Sequence, residues 1–393
     1  MNNAENKFLP FAQPQFDEDE INEVVDTIRS GWLTTGPKTK KFEEDFSSYI
    51  GAKYALAVNS ATAGLHLSLE AAGLCAGDFV VTTPYTFPAT AEVIRYFDAH
   101  PLFVDINAKT LNIDTEILEL EIIKAHNTGK KVTGIIPVHF AGQACEMDRI
   151  MEIAEKYSLF VVEDAAHALP TTYNGKKIGT IGDSTVFSFY VTKTLATGEG
   201  GMVVTNNEKW AKRIKTMRLH GINRDVWDRY TGNQANWHYD VVEAGFKYNM
   251  PDIAASLGIH QLKKVDQFQK RRQWIANMYN NAFADLPVTI PHNQFPGNTH
   301  AWHLYVLQLE KKAPIQRDEF IKKMSVLGIG TSVHFIPLHI HPYYKKKYGY
   351  EPSAFPKALN AYENCVSLPL YTKMSNTDIE RVISTTRYIL AGK

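Results

Sequence analysis

Lys193 lies in a segment whose residue types suit amine chemistry. Apolar residues and glycines surround it between residues 187 and 201, and it follows Asp164 by 29 positions. A lysine removed from water loses part of its preference for the charged form, so its pKa falls and its neutral amine can attack a carbonyl. Most lysines instead lie along the surface with the charged end in water. The segment alone leaves a Schiff-base lysine and a surface lysine as alternatives.

Asp164 follows an apolar run that is typical of a buried strand, beginning at Val161 and Val162. Such a strand delivers the carboxylate to the edge of a sheet, where it needs a cationic partner. A protonated pyridine nitrogen is one such partner. A helix-capping aspartate is the competing interpretation.

Small residues at positions 59–64 join a predicted strand to a predicted helix. They would let a phosphate approach the backbone N–H groups of a helix N-terminus, where the helix dipole favours an anion. Ser188, five positions before Lys193, has a hydroxyl that could donate to the same phosphate. Small residues are common at helix starts, so this segment alone does not establish a phosphate site.

Bulk properties exclude several classes of protein. The chain has 393 residues, with 42 Lys and Arg against 42 Asp and Glu, so its charge gives no reason to expect a nucleic-acid or membrane partner. We find no apolar run that would span a membrane, no signal region and no metal-ligand spacing. Three cysteines without a disulfide pattern favour the cytoplasm.

Alternating apolar strands and helices predict an α/β fold with a mostly parallel sheet covered on both faces. The alternation weakens after about residue 251, which predicts a smaller α+β part. We therefore predict an N-terminal arm (1–15), a large domain (16–252) and a small C-terminal domain (253–393). A nicotinamide-dependent dehydrogenase would also use such a sheet, but no Gly-x-Gly-x-x-Gly lies between a strand and a helix.

Long motifs of this sequence resemble the DegT/DnrJ/EryC1/StrS family of sugar aminotransferases. The segments that carry the resemblance are 31–37, 59–64, 163–168, 188–201, 245–252, 300–303 and 330–339. They occur in the family's order over nearly the whole chain. Some members have His in place of the lysine and act as dehydratases, whereas this sequence keeps Lys193.

The resemblance implies the aspartate aminotransferase (type I) fold, with pyridoxal 5′-phosphate (PLP) as cofactor and a homodimer with shared active sites. Carried over by position, Lys193 is the Schiff-base lysine. The other implied cofactor contacts are Asp164 at the pyridine nitrogen, His167 near the ring and its 3′ oxygen, Phe87 stacked on the ring, Thr62, Ala63 and Ser188 at the phosphate, and Asn249 from the second subunit.

Three further residues are substrate-site candidates. His334 and His339 resemble sugar-site histidines, with a purely structural role as the alternative. Arg229 lies in a polar, aromatic loop that could hold a diphosphate or simply face solvent.

The segment 31–37, together with the segment 330–339 that holds His334 and His339, is most similar to members that act on UDP-linked 4-keto sugars. The lipid A-modifying enzyme among them has Trp where this chain has Phe87. The resemblance predicts a PLP-dependent aminotransferase that moves an amino group from glutamate to C4 of a nucleotide-linked keto sugar, for lipopolysaccharide or other glycan biosynthesis. Two alternatives stay open: a C3-aminotransferase on a dTDP- or GDP-linked keto sugar, and a non-catalytic PLP-binding regulator.

Overall fold

The computed structural model describes residues 8–223, 238–295 and 297–391. In chain order, the strands of its larger part are β1 (Tyr54–Val58), β2 (Phe79–Thr82), β3 (His100–Phe103), β4 (Val132–Ile135), β5 (Phe160–Asp164), β6 (Thr172–Tyr173), β7 (Lys176–Lys177), β8 (Ser184–Ser188) and β9 (Gly201–Thr205). Seven of them form one sheet in the order β1-β9-β8-β5-β4-β2-β3, and β6 and β7 form a separate hairpin. Only β9 runs antiparallel to its neighbours, which confirms the predicted mostly parallel sheet.

Helices cover both faces of this sheet. They are α1 (Glu18–Ser30), α2 (Pro37–Ile50), α3 (Ala61–Ala71), α4 (Pro88–Arg95), α5 (Thr115–Asn127), α6 (Met147–Tyr157) and α7 (Glu208–Met217). Adjacent residues of β5 point to opposite faces: Val161 packs in a core with Phe46 of α2, and Val162 packs in a second core with Leu67 of α3. A strand buried on both faces explains the continuous apolar run that ends at Asp164.

The C-terminal part contains α8 (Asp252–Phe283), β10 (Val288–Thr289), β11 (Tyr305–Leu309), α9 (Arg317–Val326), α10 (Pro342–Tyr348), α11 (Pro356–Asn364), β12 (Cys365–Leu368) and α12 (Asn376–Ala391). Short 3-10 turns occur at Phe140–Gly142, Leu338–Ile340 and Pro352–Ala354. The three strands form an antiparallel sheet in the order β10-β11-β12. Helices on this small sheet give the predicted α+β character.

Helix α8 contributes to both parts of the molecule. Ile259 near its start packs in the core of the large sheet, whereas Tyr279 near its end packs in the core of the small one. The arm residue Leu9 pairs with Ile329 of the C-terminal part. A division of the chain at residue 252 therefore stays a prediction, since one continuous helix joins the two cores. Within the described ranges, no helix is both long and apolar enough to cross a membrane.

Candidate active site

A cavity of about 490 Å³ opens at the carboxyl ends of the parallel strands. Asp164 ends β5 and Ser188 ends β8, and both line the cavity. Thr62, at the start of α3, and Phe87, directly before α4, also line it. Ligands of open α/β sheets bind at this edge. The sheet thus brings together four residues that the sequence separates widely.

Lys193 enters the same cavity from the loop after β8. Its backbone N–H donates to the carbonyl of Tyr190 at 2.8 Å, which fixes the loop at this point. Burial lowers the pKa of the Lys193 amine to about 8, while the charge of Asp164 acts in the opposite direction. A substantial fraction of the amine is therefore neutral, and nucleophilic, at slightly alkaline pH.

Asp164 is 6% exposed and held by hydrogen bonds on both oxygens. Thr90 Oγ1 donates to Oδ2 at 2.7 Å, and the N–H of Ala166 donates to Oδ1 at 3.1 Å. Thr86 Oγ1 lies 2.8 Å from Thr90 Oγ1. Since the single proton of Thr90 points at Asp164, Thr86 must be the donor in that pair. The carboxylate is thus oriented by a chain of two hydroxyls from the segment that opens α4.

The N-terminus of α3 forms the end of the cavity that suits a phosphate. Ser60 caps the helix by accepting the N–H of Ala63 at 3.1 Å, and Ala61 and Thr62 line the cavity. A Cβ at Gly201 would lie 2.8 Å from the backbone nitrogen of Ala61, so the strand can pass this close only as glycine. The backbone N–H groups at the start of α3 therefore face a cavity at a helix N-terminus, which is the arrangement that binds anions.

Ala63 itself lies outside the cavity lining, and its amide already donates to Ser60. Its predicted contact with the phosphate is therefore less direct than that of Thr62 and stays a prediction.

Aromatic rings form one wall of the cavity. The ring of His167 stacks near Phe335 at 5.9 Å between centroids and lies 4.3 Å from the ring of His303. His167 Nδ1 accepts the N–H of Ala141 at 3.3 Å, so its proton resides on Nε2. Burial, together with the positive charge of Lys193, holds the pKa of His167 well below its usual value. Phe87 is 59% exposed and presents its ring at the mouth.

Of the predicted substrate residues, His334 lies in the cavity lining. Its Nδ1 is 2.8 Å from Ser367 Oγ, which orients the ring from the small sheet. Burial and the charge of Lys193 lower its pKa to about 4, so the ring is neutral near pH 7.

His339 lies outside the cavity lining in this chain. It is completely buried, and its Nε2 is 3.0 Å from the carbonyl oxygen of Pro352. A side chain with no exposed surface cannot contact a substrate in this conformation. The position of His339 agrees with the purely structural role that was the alternative to sugar binding.

Asn249 also lies outside the lining of its own chain's cavity. Its side chain donates to Thr35 Oγ1 at 2.6 Å and accepts from Lys247 Nζ at 2.7 Å. Its predicted role toward a second subunit stays a prediction. Arg229 lies outside the described residues.

Two groups of residues at the site carried no predicted role. Thr86 precedes α4 and Thr90 lies in its first turn, and only the tertiary structure shows that Thr90 reaches Asp164 and that Thr86 reaches Thr90. His303 belongs to the 300–303 motif, to which the sequence pattern assigns no function. For His303 the available signal is its place in that motif. Thr86 and Thr90 lie outside the motif segments, and their spacing to Asp164 and Lys193 in the sequence gives no signal.

The residues present fit PLP. A lysine amine of lowered pKa, a hydrogen-bonded carboxylate and a capped helix N-terminus lie around one cavity that is large enough for a small phosphorylated aromatic molecule. With PLP bound there, Lys193 would hold its aldehyde carbon and Asp164 would contact its pyridine nitrogen. Ser188 and the start of α3 would bind its phosphate.

Comparisons with known proteins agree with this site. The family model described as the DegT/DnrJ/EryC1/StrS aminotransferase family matches residues 14–387. The chain is 52% identical over 385 residues to protein MJ1066 of Methanocaldococcus jannaschii, and 49% identical over 389 residues to the spore coat polysaccharide biosynthesis protein SpsC of Bacillus subtilis. Both alignments cover 98% of each chain.

Among solved structures, the PMP form of the sugar aminotransferase Spr1654 of Streptococcus pneumoniae superposes with a TM-score of 0.90 and is 34% identical. That match covers 97% of this chain and 98% of the other. The fold and the site define a PLP-dependent aminotransferase of fold type I. The chain belongs to the DegT/DnrJ/EryC1/StrS aminotransferase family, and its relatives in that family include sugar aminotransferases.

The hydroxyl chain behind Asp164 gives a testable consequence. We expect Thr90→Val to lower kcat/KM for sugar amination by roughly 10-fold, equivalent to about 1.4 kcal/mol, because one oxygen of the carboxylate loses its donor. Steady-state kinetics on the PLP-loaded protein measure the effect. Thr86→Val is the matched control, since Thr86 acts on Asp164 through Thr90, and it should cost less. Equal rates for Thr90→Val and the unaltered protein would contradict this role.

Proposed function

We propose that this protein transfers the amino group of L-glutamate to C4 of a UDP-linked keto sugar. The observation that carries the proposal is the convergence of a lysine amine of lowered pKa with Asp164 in one cavity beside a helix N-terminus. The family and the sugar aminotransferase Spr1654 support a sugar as acceptor. Glutamate rests on the family resemblance as a whole, and the nucleotide and the C4 position rest on the resemblance of residues 31–37 and 330–339 to members that act on UDP-linked 4-keto sugars.

Lys193 and Asp164 each have a defined role in this reaction. Bound PLP supplies an electron sink that stabilises the charge left on a carbon when its proton is removed. Lys193 Nζ removes the α-proton of glutamate as a general base, and in the second half of the reaction it moves a proton to C4 of the sugar. Asp164 holds the pyridine nitrogen in its protonated form. In balance, glutamate and the keto sugar become 2-oxoglutarate and the amino sugar.

His334 and Phe335 line the same cavity as Lys193 and are candidates for contact with the sugar. Both residues come from the segment before the turn at Leu338–Ile340 and are fixed from the small sheet, through the contact of His334 with Ser367. A neutral imidazole can exchange hydrogen bonds with sugar hydroxyls without requiring a charged partner. We assign His334 to sugar binding within this proposal.

The protein acts as a homodimer in this proposal, with Asn249 directed to the cofactor phosphate of the second copy. Exposed apolar side chains are available for such an interface, including Leu33, Tyr190, Val241 and Val242, of which Tyr190 also lines the cavity. The three cysteines are free thiols, as expected for a protein of the cytoplasm. The name of SpsC supports a product destined for a surface polysaccharide.

A donor and acceptor screen tests the proposed function. The PLP-loaded protein is incubated with L-glutamate and, in separate reactions, a UDP-4-keto sugar, a dTDP-3-keto sugar and a GDP-4-keto sugar. We expect equimolar 2-oxoglutarate and UDP-amino sugar, identified by mass spectrometry, and no more than one equivalent of 2-oxoglutarate per site when the sugar is omitted. L-aspartate in place of glutamate is the donor control.

The alternatives give different results in the same screen. Preferential amination of the dTDP- or GDP-linked sugar would favour the alternative substrate class. Tight PLP binding without product from any acceptor would favour a non-catalytic regulator and overturn the proposal.

A further inference from the structure

His303 is a cavity residue to which the reaction assigns no role so far. It lies just before β11 and belongs to the small α+β part, yet its ring packs 4.3 Å from that of His167, which follows β5 of the large sheet. The side chain is 7% exposed and lines the cavity. The small part thus contributes an imidazole to the site directly beside the histidine of the large part.

The protonation of His303 follows from its surroundings. Its Nδ1 is buried and, within the described part of the chain, has no hydrogen-bond partner. An enclosed N–H without a partner is rarer and more costly than an enclosed acceptor, so the proton belongs on Nε2. Burial, with the neighbouring His167, Lys193, Arg272 and His334, lowers the pKa of the ring well below its usual value. His303 is therefore a neutral ring with one N–H to donate.

The positive charge of Arg272, which lies next to His303, favours an anion at the His303 side chain. Arg272 is buried, and its Nη1 donates to the carbonyl oxygens of Trp302 at 3.1 Å, His303 at 3.4 Å and Leu370 at 3.0 Å. Among the described residues it has no carboxylate partner within ion-pair distance. Among the described residues, the contacts that offset its positive charge are therefore carbonyl dipoles. The guanidinium group contacts the backbone of the segment that carries His303, so its field acts there.

The described cavity lining contains no arginine, although an acidic amino donor has carboxylates that need hydrogen-bond donors. His167 and His303 present two N–H groups side by side, and that of His167 is assigned to the cofactor oxygen by the resemblance. We propose that His303 Nε2–H binds a carboxylate of the amino donor, with the buried charge of Arg272 strengthening the contact. The inference rests on the proposed use of glutamate and deepens it.

Dead-end binding of 2-oxoglutarate to the PLP-loaded protein tests the contact without turnover. The dissociation constant is measured by titration calorimetry, and PLP affinity is measured separately. His303→Phe keeps a ring against His167 but has no N–H, so we expect 2-oxoglutarate to bind about 10-fold more weakly or worse, with PLP affinity within about 2-fold of the unaltered protein. His303→Gln keeps a donor and should restore most of the affinity.

His300→Phe is the matched control. His300 is a second buried histidine of the same motif, but its Nδ1 already accepts the N–H of Trp302 at 2.9 Å and it does not line the cavity. We expect it to leave the affinity for 2-oxoglutarate unchanged. Equal loss in His300→Phe and His303→Phe would show a structural effect and overturn the inference.

Three further results would also overturn it, for different reasons. If 2-oxoglutarate binds the unaltered protein and His303→Phe equally well, the carboxylate is held elsewhere while the proposed donor stands. If His303→Phe weakens PLP instead, His303 serves an oxygen of the cofactor. Failure of 2-oxoglutarate to bind even the unaltered protein would remove the proposed donor, and the inference with it.

Discussion

Lys193→Ala should abolish transamination, with a loss of at least about 10⁴-fold in kcat. In the proposed reaction the side chain would both hold the cofactor carbon and move the proton, and general acid–base catalysis alone contributes roughly 10² to 10⁴-fold. The structure adds the physical reason why this particular lysine suits such chemistry, since burial lowers its pKa to about 8. Product formation is measured from glutamate and the keto sugar, and covalent attachment is measured by borohydride reduction followed by peptide mass spectrometry.

Two variants separate the amine from other properties of the lysine. Lys193→Arg keeps a positive charge but is never deprotonated at these pH values, so it should be as inactive as Lys193→Ala. Lys177 is the matched control because burial also lowers its pKa, yet it packs over the ring of Tyr49 and does not line the cavity. Lys177→Ala should keep full activity. Turnover by Lys193→Ala without an added amine would refute the assignment.

Asp164→Asn should lower kcat by roughly 10² to 10³-fold, the range found when one preorganised electrostatic partner of a transition state is removed. The asparagine has the same shape, and rotation of the Thr90 hydroxyl would let it accept from the new amide. The N–H of Ala166 would still meet an oxygen. The variant therefore tests the charge of Asp164 with little change in its hydrogen bonds.

Glu199→Gln is the control for this second prediction. Glu199 is another carboxylate of the cavity lining, but it is exposed and lies in the loop that leads to β9. Its neutralisation should change kcat by no more than about 3-fold, since an exposed charge is screened by water. Steady-state rates and PLP dissociation constants are compared for both variants. If kcat of Asp164→Asn stayed within about 3-fold of the kcat of the unaltered protein, the proposed role of the charge would be contradicted.

The order of strands and helices along the chain is largely predictable, because short strands buried on both faces leave uninterrupted apolar runs. The run before Asp164 and the run from Gly201 to Thr205 coincide with β5 and β9. The apolar pattern does not predict helix α5. Leu118 and Ile122 on its inner face are buried, but Leu120 and Ile123 are exposed, so apolar residues lie on several sides and hide the period of a helix.

The segment 86–99 differs from its sequence pattern in another way. The pattern predicts a continuous helix there, whereas α4 ends at Arg95 and β3 begins at His100. The left-handed backbone at Asp98, with φ of 55°, turns the chain between them. An aspartate tolerates that conformation better than most residues, but it does not signal it unambiguously.

By itself, the sequence predicted the reactive lysine, its carboxylate and the small residues at the start of α3, because each lies in a long motif that resembles the family. Neighbouring residue types alone left alternatives open at each of these places. Only the tertiary structure decided which distant side chains complete the site. Thr90 reaches Asp164 because the start of α4 lies close to the carboxyl end of β5, and His303 reaches His167 because α8 joins the small sheet to the large one. The same packing carried His339 away from the cavity into the interior. Such contacts depend on the relative placement of whole elements, which no local pattern encodes.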